Sequence, residues 1–211
     1  KMLPEIAILD PSLTLNLPKG ITAGTGMDAL AHCIEAFSSP FYHPMAEGTA
    51  VEGLRLVKEN IQEVYHNGIN IEARAHMLVA SMMGAAAFQK GLGAIHSITH
   101  PVNSLYHTHH GTTNGTVMPF VLNFNRSVIE KKFDRLAKFL NISNGFEGVV
   151  NWIIELKKEM EIPETLKEMG VKKGDEVKLA PLAQEDPSTG GNPLEMSEDK
   201  FQELILNCIE G

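Results

Sequence analysis

Apolar residues recur with a spacing close to 3.6 along most of the chain, which is typical of α-helices with one buried face. The run from Leu30 to Phe37 predicts a first helix beginning near Thr25. Between Ala73 and Ala87 the apolar positions are small or flexible, which allows close helix approach and predicts a central, buried helix. Other helices are predicted, among them 50–65, 94–107, 112–124, 127–140, 145–160 and 197–210. We therefore expect an all-α bundle of about seven helices.

Two segments depart from the helical period. Ile6, Ile8 and Leu9 form a short apolar run closed by Asp10 and a proline, which predicts one strand within residues 5–10. We interpret this strand as the end of a sheet that belongs to a preceding domain. The polar segment 176–196, which contains PLAQEDPSTGGNP, is rich in turn-forming residues and predicts a loop.

Composition and charge restrict the function classes. With 211 residues, of which 43% are hydrophobic and 21% charged, the chain can bury one substantial core. A net charge of -8 argues against nucleic acid or an anionic membrane surface as the partner. Cys33 and Cys208 have no CxxC spacing, so a disulfide framework is not expected. Without a signal peptide pattern or a long apolar run, we expect a cytoplasmic protein that spans no membrane.

The segment GMDALAHCIEAF places a carboxylate and an imidazole on one helix face. Asp28 and His32 are four residues apart and so lie about 40° apart around the helix, with Glu35 beside them. Taken alone, such a pair is more often a solvated polar face. The pair indicates a metal site only if a second group of candidate ligands accompanies it.

The stretch from Gly91 to Gly111 holds that second group, because it contains five of the nine histidines. His96 and His100 repeat the spacing of four, and His110 precedes Gly111. Ser97 stands where a metalloprotease would carry a glutamate, which argues against a protease. Together the two segments offer nitrogen and oxygen ligands without a thiolate, a set that suits Fe²⁺, Zn²⁺ or Mn²⁺ at a catalytic site.

Four segments resemble the signature of the iron-containing (group III) alcohol dehydrogenase family. They are GMDALAHCIEAF, GLGAIHSITHP, the HHG that ends at Gly111 and the following NGTVMP, and the likeness extends over essentially the whole chain. The resemblance implies a helical domain similar to the C-terminal domain of dehydroquinate synthase. It also implies an NAD(P)-linked alcohol dehydrogenase or aldehyde reductase whose substrate is a small alcohol or aldehyde.

The resemblance also assigns roles to individual residues. It implies that the metal is Fe²⁺, with Zn²⁺ as the alternative, and that its ligands are Asp28, His32, His96 and His110. His100 resembles a family residue near the substrate oxygen that assists proton transfer. The family binds NAD or NADP through an N-terminal domain with a glycine-rich turn, which this chain lacks.

We therefore interpret the chain as the C-terminal, metal-binding part of such an enzyme. Residues 1–22 are expected to be the end of the nucleotide-binding domain or a linker, and residues 23–211 the helical metal-binding catalytic domain. The isolated chain should be inactive, and the enzyme should be a homo-oligomer. Two alternatives stay open: an inert helical association module derived from the enzyme, and a lyase similar to dehydroquinate synthase. The lyase would need basic groups near the histidines, where Lys90 is nearly alone.

Overall fold

The computed structural model describes residues 4–211, and α-helices form most of the regular structure of this part. The α-helices of this part are α1 (Lys19–Ser38), α2 (Pro44–His66), α3 (Ile71–Ala87), α4 (Ala94–Tyr106), α5 (His110–Phe139), α6 (Gly145–Glu159), α7 (Glu176–Gln184) and α8 (Glu198–Glu210). Short 3-10 helices occur at Pro11–Thr14, Phe88–Lys90, Leu166–Met169 and Pro187–Gly191. The prediction of an all-α fold is confirmed.

Helix α1 is the central element, because it packs against α2, α3 and α5 and most of its residues are buried. It begins at Lys19, earlier than the predicted start near Thr25. The expectation that α3 would be the central helix is wrong, since α3 buries one face and exposes residues such as Met82 on another. Its small residues do permit close packing: a Cβ on Gly84 would lie 2.9 Å from the Cβ of His32.

The predicted strand at residues 5–10 is absent from the structure, which has no strand within residues 4–211. Ile6 and Ile8 are 81% and 85% exposed and lie in a segment without regular secondary structure. A strand needs a neighbouring strand to pair its backbone groups, and the described residues supply none. The division into residues 1–22 and residues 23–211 stays a prediction. Residues 1–3 lie outside the part of the chain that the structure describes.

Two further boundaries differ from the sequence prediction. The predicted helices 112–124 and 127–140 are one continuous helix, α5, of 30 residues with Pro119 inside it. The predicted loop 176–196 instead contains α7 and the 3-10 helix Pro187–Gly191. Buried Leu179, Ala180 and Ala183 hold α7 against the rest of the bundle, because tertiary packing overrides the polar composition of this segment.

Within residues 4–211, no helix by itself combines the length and the apolar composition needed to cross a membrane. The segments Ile71–Lys90 and Ala94–Tyr106 meet that test only when they are taken together, and they are bent by 109° relative to each other.

Candidate metal centre

Three side chains from three helices converge at one point. Asp28 lies on α1, His96 on α4 and His110 on α5, and their candidate ligand atoms all lie within 4.8 Å of one another. Oδ1 of Asp28 is 3.3 Å from Nε2 of His110 and 3.8 Å from Nε2 of His96. Residues that are distant in the sequence thus form one group of nitrogen and oxygen atoms.

Gly111 explains why α5 can bring His110 to α1. A Cβ at this position would lie 2.0 Å from the carbonyl oxygen of Gly24 and 2.9 Å from the Cβ of Asp28. Only a residue without a side chain permits this backbone contact. The glycine that follows His110 therefore has a packing role that positions the imidazole beside Asp28.

His32 lies beside this group, one helical turn after Asp28. Its Nδ1 is 2.8 Å from the backbone carbonyl oxygen of Asp28, and its ring centroid is 4.5 Å from that of His96. Because a carbonyl oxygen can only accept, Nδ1 carries the proton and Nε2 keeps its lone pair. Asp28, His32, His96 and His110 are called the histidine cluster below.

The Nδ1 atom of His96 is held by Glu35, a buried carboxylate on α1. The distance from Nδ1 to Oε2 of Glu35 is 2.6 Å, and Oε1 accepts a hydrogen bond from the backbone N–H of Ile95 at 2.7 Å. Glu35 thereby satisfies an unpaired N–H in the first turn of α4 and orients the imidazole. As in His32, Nε2 is the nitrogen left for the cluster.

His110 is oriented in the same way by Asn103. Its Nδ1 lies 2.9 Å from Oδ1 of Asn103, whose amide nitrogen donates to the hydroxyl groups of Thr108 and Thr113. Because the amide nitrogen is occupied, the oxygen faces the imidazole and accepts from Nδ1–H. In all three histidines of the cluster, Nδ1 therefore faces an acceptor oxygen and Nε2 lies on the other side of the ring.

Asn114, one turn after His110 on α5, lies against the same atoms. Its Nδ2 donates to Oδ1 of Asp28 at 2.7 Å and is 3.2 Å from Nε2 of both His96 and His110. Its side chain is fully buried, and its Oδ1 has no hydrogen-bond partner in the described part of the chain. The amide nitrogen is thus the donor that faces these three atoms.

His100 is placed at the edge of the cluster. Its ring centroid is 5.8 Å from that of His96 and 5.5 Å from that of His110, and its side chain is 42% exposed. Nδ1 is 2.7 Å from Oδ2 of Asp186, whose Oδ1 accepts from the backbone N–H of Ser188. Asp186 therefore fixes the ring and leaves its Nε2 free.

The other two histidines of the stretch have structural roles. His107 ends α4 in the left-handed conformation, with φ of 55°. His109 precedes α5, and its Nδ1 accepts a hydrogen bond from the backbone N–H of Thr112, which caps the helix. Neither contributes to the group of converging atoms.

The charges in the cluster interact strongly. Burial alone would raise the pKa of Asp28, but hydrogen bonds with His110 and His96 hold it well below its usual range. Burial lowers the pKa of His32. In His96 the carboxylates of Glu35 and Asp28 outweigh burial and raise the pKa to about 9. The site therefore keeps an ionised carboxylate, whereas His96 must release a proton before its Nε2 can bind a metal ion.

Several residues of the site were not predicted from the sequence. Glu35 was placed beside Asp28 and His32 by its helical spacing, but it was given no role there. Asn114 could have been found in the same way, because it lies four residues after His110. Asn103 likewise lies three residues after His100. Asp186 gave no local signal, since it lies in the segment that the sequence predicted to be a loop.

The C-terminal model of the Fe-containing alcohol dehydrogenase family matches residues 22–209. The chain belongs to this family. The resemblance seen in the sequence is therefore confirmed. All four predicted ligands and His100 lie within the matched residues.

Relatives within the iron-containing alcohol dehydrogenase family are similar over nearly the whole chain. The 4-hydroxybutyrate dehydrogenase of Cupriavidus necator is 38% identical, and the alignment covers 97% of this chain and 56% of that protein. The NAD-dependent methanol dehydrogenase of Bacillus methanolicus is 36% identical, with 99% and 57% covered. The chain thus spans a little over half the length of these relatives.

A crystal structure of 1,3-propanediol oxidoreductase has the same fold as the chain. The two superpose with a TM-score of 0.93 at 31% identity, and the match covers 98% of this chain and 56% of that one. The bundle described above is therefore the fold of an iron-containing alcohol dehydrogenase over this region.

Proposed function

We propose that the histidine cluster binds a catalytic divalent ion, Fe²⁺ with Zn²⁺ as the alternative, in an NAD(P)-dependent alcohol dehydrogenase. The observation that carries this proposal is the shared orientation of its histidines. Nδ1 of His32, His96 and His110 each lies within 2.9 Å of an acceptor oxygen, so the three Nε2 atoms remain for a ligand. An ionised carboxylate completes a set of three nitrogen atoms and one oxygen.

The donor set fits such an ion in charge and in type. Three neutral imidazoles and one carboxylate would leave about one positive charge on a divalent site, which favours an anionic substrate oxygen. When bound, the ion supplies Lewis-acid chemistry at the substrate oxygen. Hydrogen-bond acceptors on the outer side of the histidines are the usual support of such sites and fix the ring orientations.

His100 is proposed to carry the proton of the substrate hydroxyl. It lies at the exposed edge of the cluster, one turn after His96, and Asp186 holds its Nδ1 at 2.7 Å. Nε2 can then accept the hydroxyl proton, and the exposed ring can pass it to solvent. Because Asp186 is ionised and only 11% exposed, it favours the tautomer with the proton on Nδ1.

The substrate proposal rests on the family. Relatives are named for 4-hydroxybutyrate, 1,3-propanediol and methanol, and we infer a small alcohol, or its aldehyde, as the substrate of this protein. One relative is named NAD-dependent and another NADPH-dependent, so the proposed cofactor is NAD or NADP. The nucleotide would bind to the part of the enzyme that corresponds to the remaining length of the relatives.

Metal binding by the chain is the direct test. The ion-free chain should bind one Zn²⁺, or one Fe²⁺ under anaerobic conditions, per molecule in a competition titration with a chromophoric chelator. His32→Ala, His96→Ala and His110→Ala should each weaken binding strongly, because one of four ligands is lost. His107→Ala is the matched control, since His107 lies in the same stretch, is exposed and is not among the converging ligand atoms. Equal affinity of all four variants would contradict the proposal.

The role of His100 needs the complete enzyme that contains this chain. His100→Ala should keep the bound metal but lower turnover of the alcohol by roughly 10- to 1,000-fold, the range expected when a positioned acid or base is removed. His109→Ala should leave turnover unchanged. Loss of the metal from His100→Ala would make His100 a ligand, and unchanged turnover would remove it from the mechanism.

A further inference from the structure

Asn114 differs from the other buried asparagine of α5 in how its amide is used. Asn125 and Asn192 pair reciprocally, with Nδ2 to Oδ1 distances of 2.9 and 3.0 Å, so both ends of the Asn125 amide are satisfied. Asn114 uses only its nitrogen, and its Oδ1 has no hydrogen-bond partner in the described part of the chain. Buried polar atoms are almost always paired, so the orientation of Asn114 has a cost that something must offset.

The contacts of Asn114 show what offsets that cost. Its Nδ2 donates to Oδ1 of Asp28 at 2.7 Å and lies 3.2 Å from Nε2 of His96 and of His110. These are the three atoms that lie within 4.8 Å of one another. An amide nitrogen carries two hydrogens, so Nδ2 can bridge the carboxylate and an imidazole nitrogen that carries no proton. The amide thus keeps the atoms together in the absence of an ion.

We propose that Asn114 is a positioning residue of the metal centre, which holds Asp28, His96 and His110 in a ligand-like arrangement before an ion binds. The inference rests on the proposed function, because it assumes that these residues are ligands. It adds a residue on α5 that is one turn beyond His110, so the same helix face supplies both the ligand and its support.

The test compares two asparagines of the same helix. In Asn114→Leu, which keeps the branched heavy-atom skeleton but removes the amide, Zn²⁺ affinity of the ion-free chain should fall about 10- to 100-fold, the usual effect of removing an outer partner of a metal ligand. Asn125→Leu is the control: it removes a buried amide from α5 and should lower thermal stability, yet its Zn²⁺ affinity should stay within about threefold of the parent. Both affinities are measured by chelator competition at one pH.

Each outcome decides one point. Parental affinity in Asn114→Leu, or an equal loss in both variants, would overturn the role of Asn114 and leave the metal site standing. A parent chain that binds no Zn²⁺ would overturn the proposed function itself. If Asn114→Leu does not fold, the side-chain amide NMR signals of the parent decide instead. Those of Asn114 should shift when Zn²⁺ is added and those of Asn125 should not, and unchanged Asn114 signals would contradict the inference.

Discussion

Two groups of polar atoms packed along α1 differ in what completes them. Near the end of α1, Nζ of the buried Lys90 donates to the carbonyl oxygens of Ala36, Phe37 and Ser39 at 2.9 to 3.3 Å, and to Glu47 at 3.2 Å. This lysine cluster contains its own cation, which satisfies carbonyl groups that the helix end leaves unpaired.

The histidine cluster lies near the middle of α1 and, unlike the lysine cluster, contains no lysine or arginine. It gathers a carboxylate and imidazole Nε2 atoms, which are acceptors once the imidazoles are neutral, and within residues 4–211 the Nδ2 of Asn114 contacts three of these atoms. A cluster that contains its own cation contributes to the stability of the fold. A cluster with an excess of acceptors is suited to a cation that the chain does not supply.

Removing the cation of the lysine cluster should have the largest effect on stability. In Lys90→Met, three carbonyl groups lose their buried donor, so the free energy of unfolding should fall by about 2–4 kcal/mol. Urea denaturation measures this change. Lys131→Met, which removes an exposed lysine from α5, should change it by less than about 0.5 kcal/mol. Equal unfolding midpoints for Lys90→Met and the parent would show that the cluster is not needed for stability.

Adding a divalent cation should stabilise the folded chain through the histidine cluster and not through the lysine cluster. Free Zn²⁺ at about 100 times its dissociation constant should add about 2.7 kcal/mol to the free energy of unfolding, because the ion binds the folded chain. Thermal unfolding with Zn²⁺ or with a chelator measures the increment. Lys90→Met should keep the increment and His96→Ala should lose it. If both variants respond alike to Zn²⁺, the two clusters are not separate.

Weakening the outer support of His96 should have a smaller effect. Glu35→Gln keeps the size of the side chain, but one of its two acceptor oxygens becomes an amide that cannot accept from the backbone N–H of Ile95 or from Nδ1 of His96. Zn²⁺ affinity at pH 7 should fall about tenfold, equivalent to about 1.4 kcal/mol. Isothermal titration measures it, and Glu52→Gln on the surface of α2 is the control. Unchanged affinity would show that Glu35 serves only the fold.

A buried lysine on α6 should affect the pH dependence of stability. Burial lowers the pKa of Lys157 to about 8 from 10.5, and Nζ donates to the carbonyl oxygen of Thr116 at 3.0 Å. Between these values the unfolded chain binds more protons, so the free energy of unfolding should rise with pH. Lys157→Met should reduce that slope by up to about 1.4 kcal/mol per pH unit. Urea denaturation at pH 8 and pH 10 measures the slope. Equal slopes for the variant and the parent would contradict the lowered pKa of Lys157.

Local sequence spacing determined much of the site. A spacing of four residues placed Asp28 and His32 on one face of a helix, and the family signature selected His96 and His110 as the further candidate ligands. The same 3.6-residue period fixed the all-helical class and most of the helices, because one apolar face per helix is enough to specify a bundle. These features depend only on residues within a few turns of one another.

The tertiary structure decided the rest. The backbone contact between Gly111 and Gly24 brings α5 onto α1, and no local pattern encodes which two helices touch there. The apolar run at residues 5–10 has no strand partner within the described residues, and α7 forms inside a polar segment because three of its residues pack into the core. Asp186 reaches His100 across 86 residues of sequence. Hydrogen bonds and packing between distant segments depend on three-dimensional position, which helical periodicity does not specify.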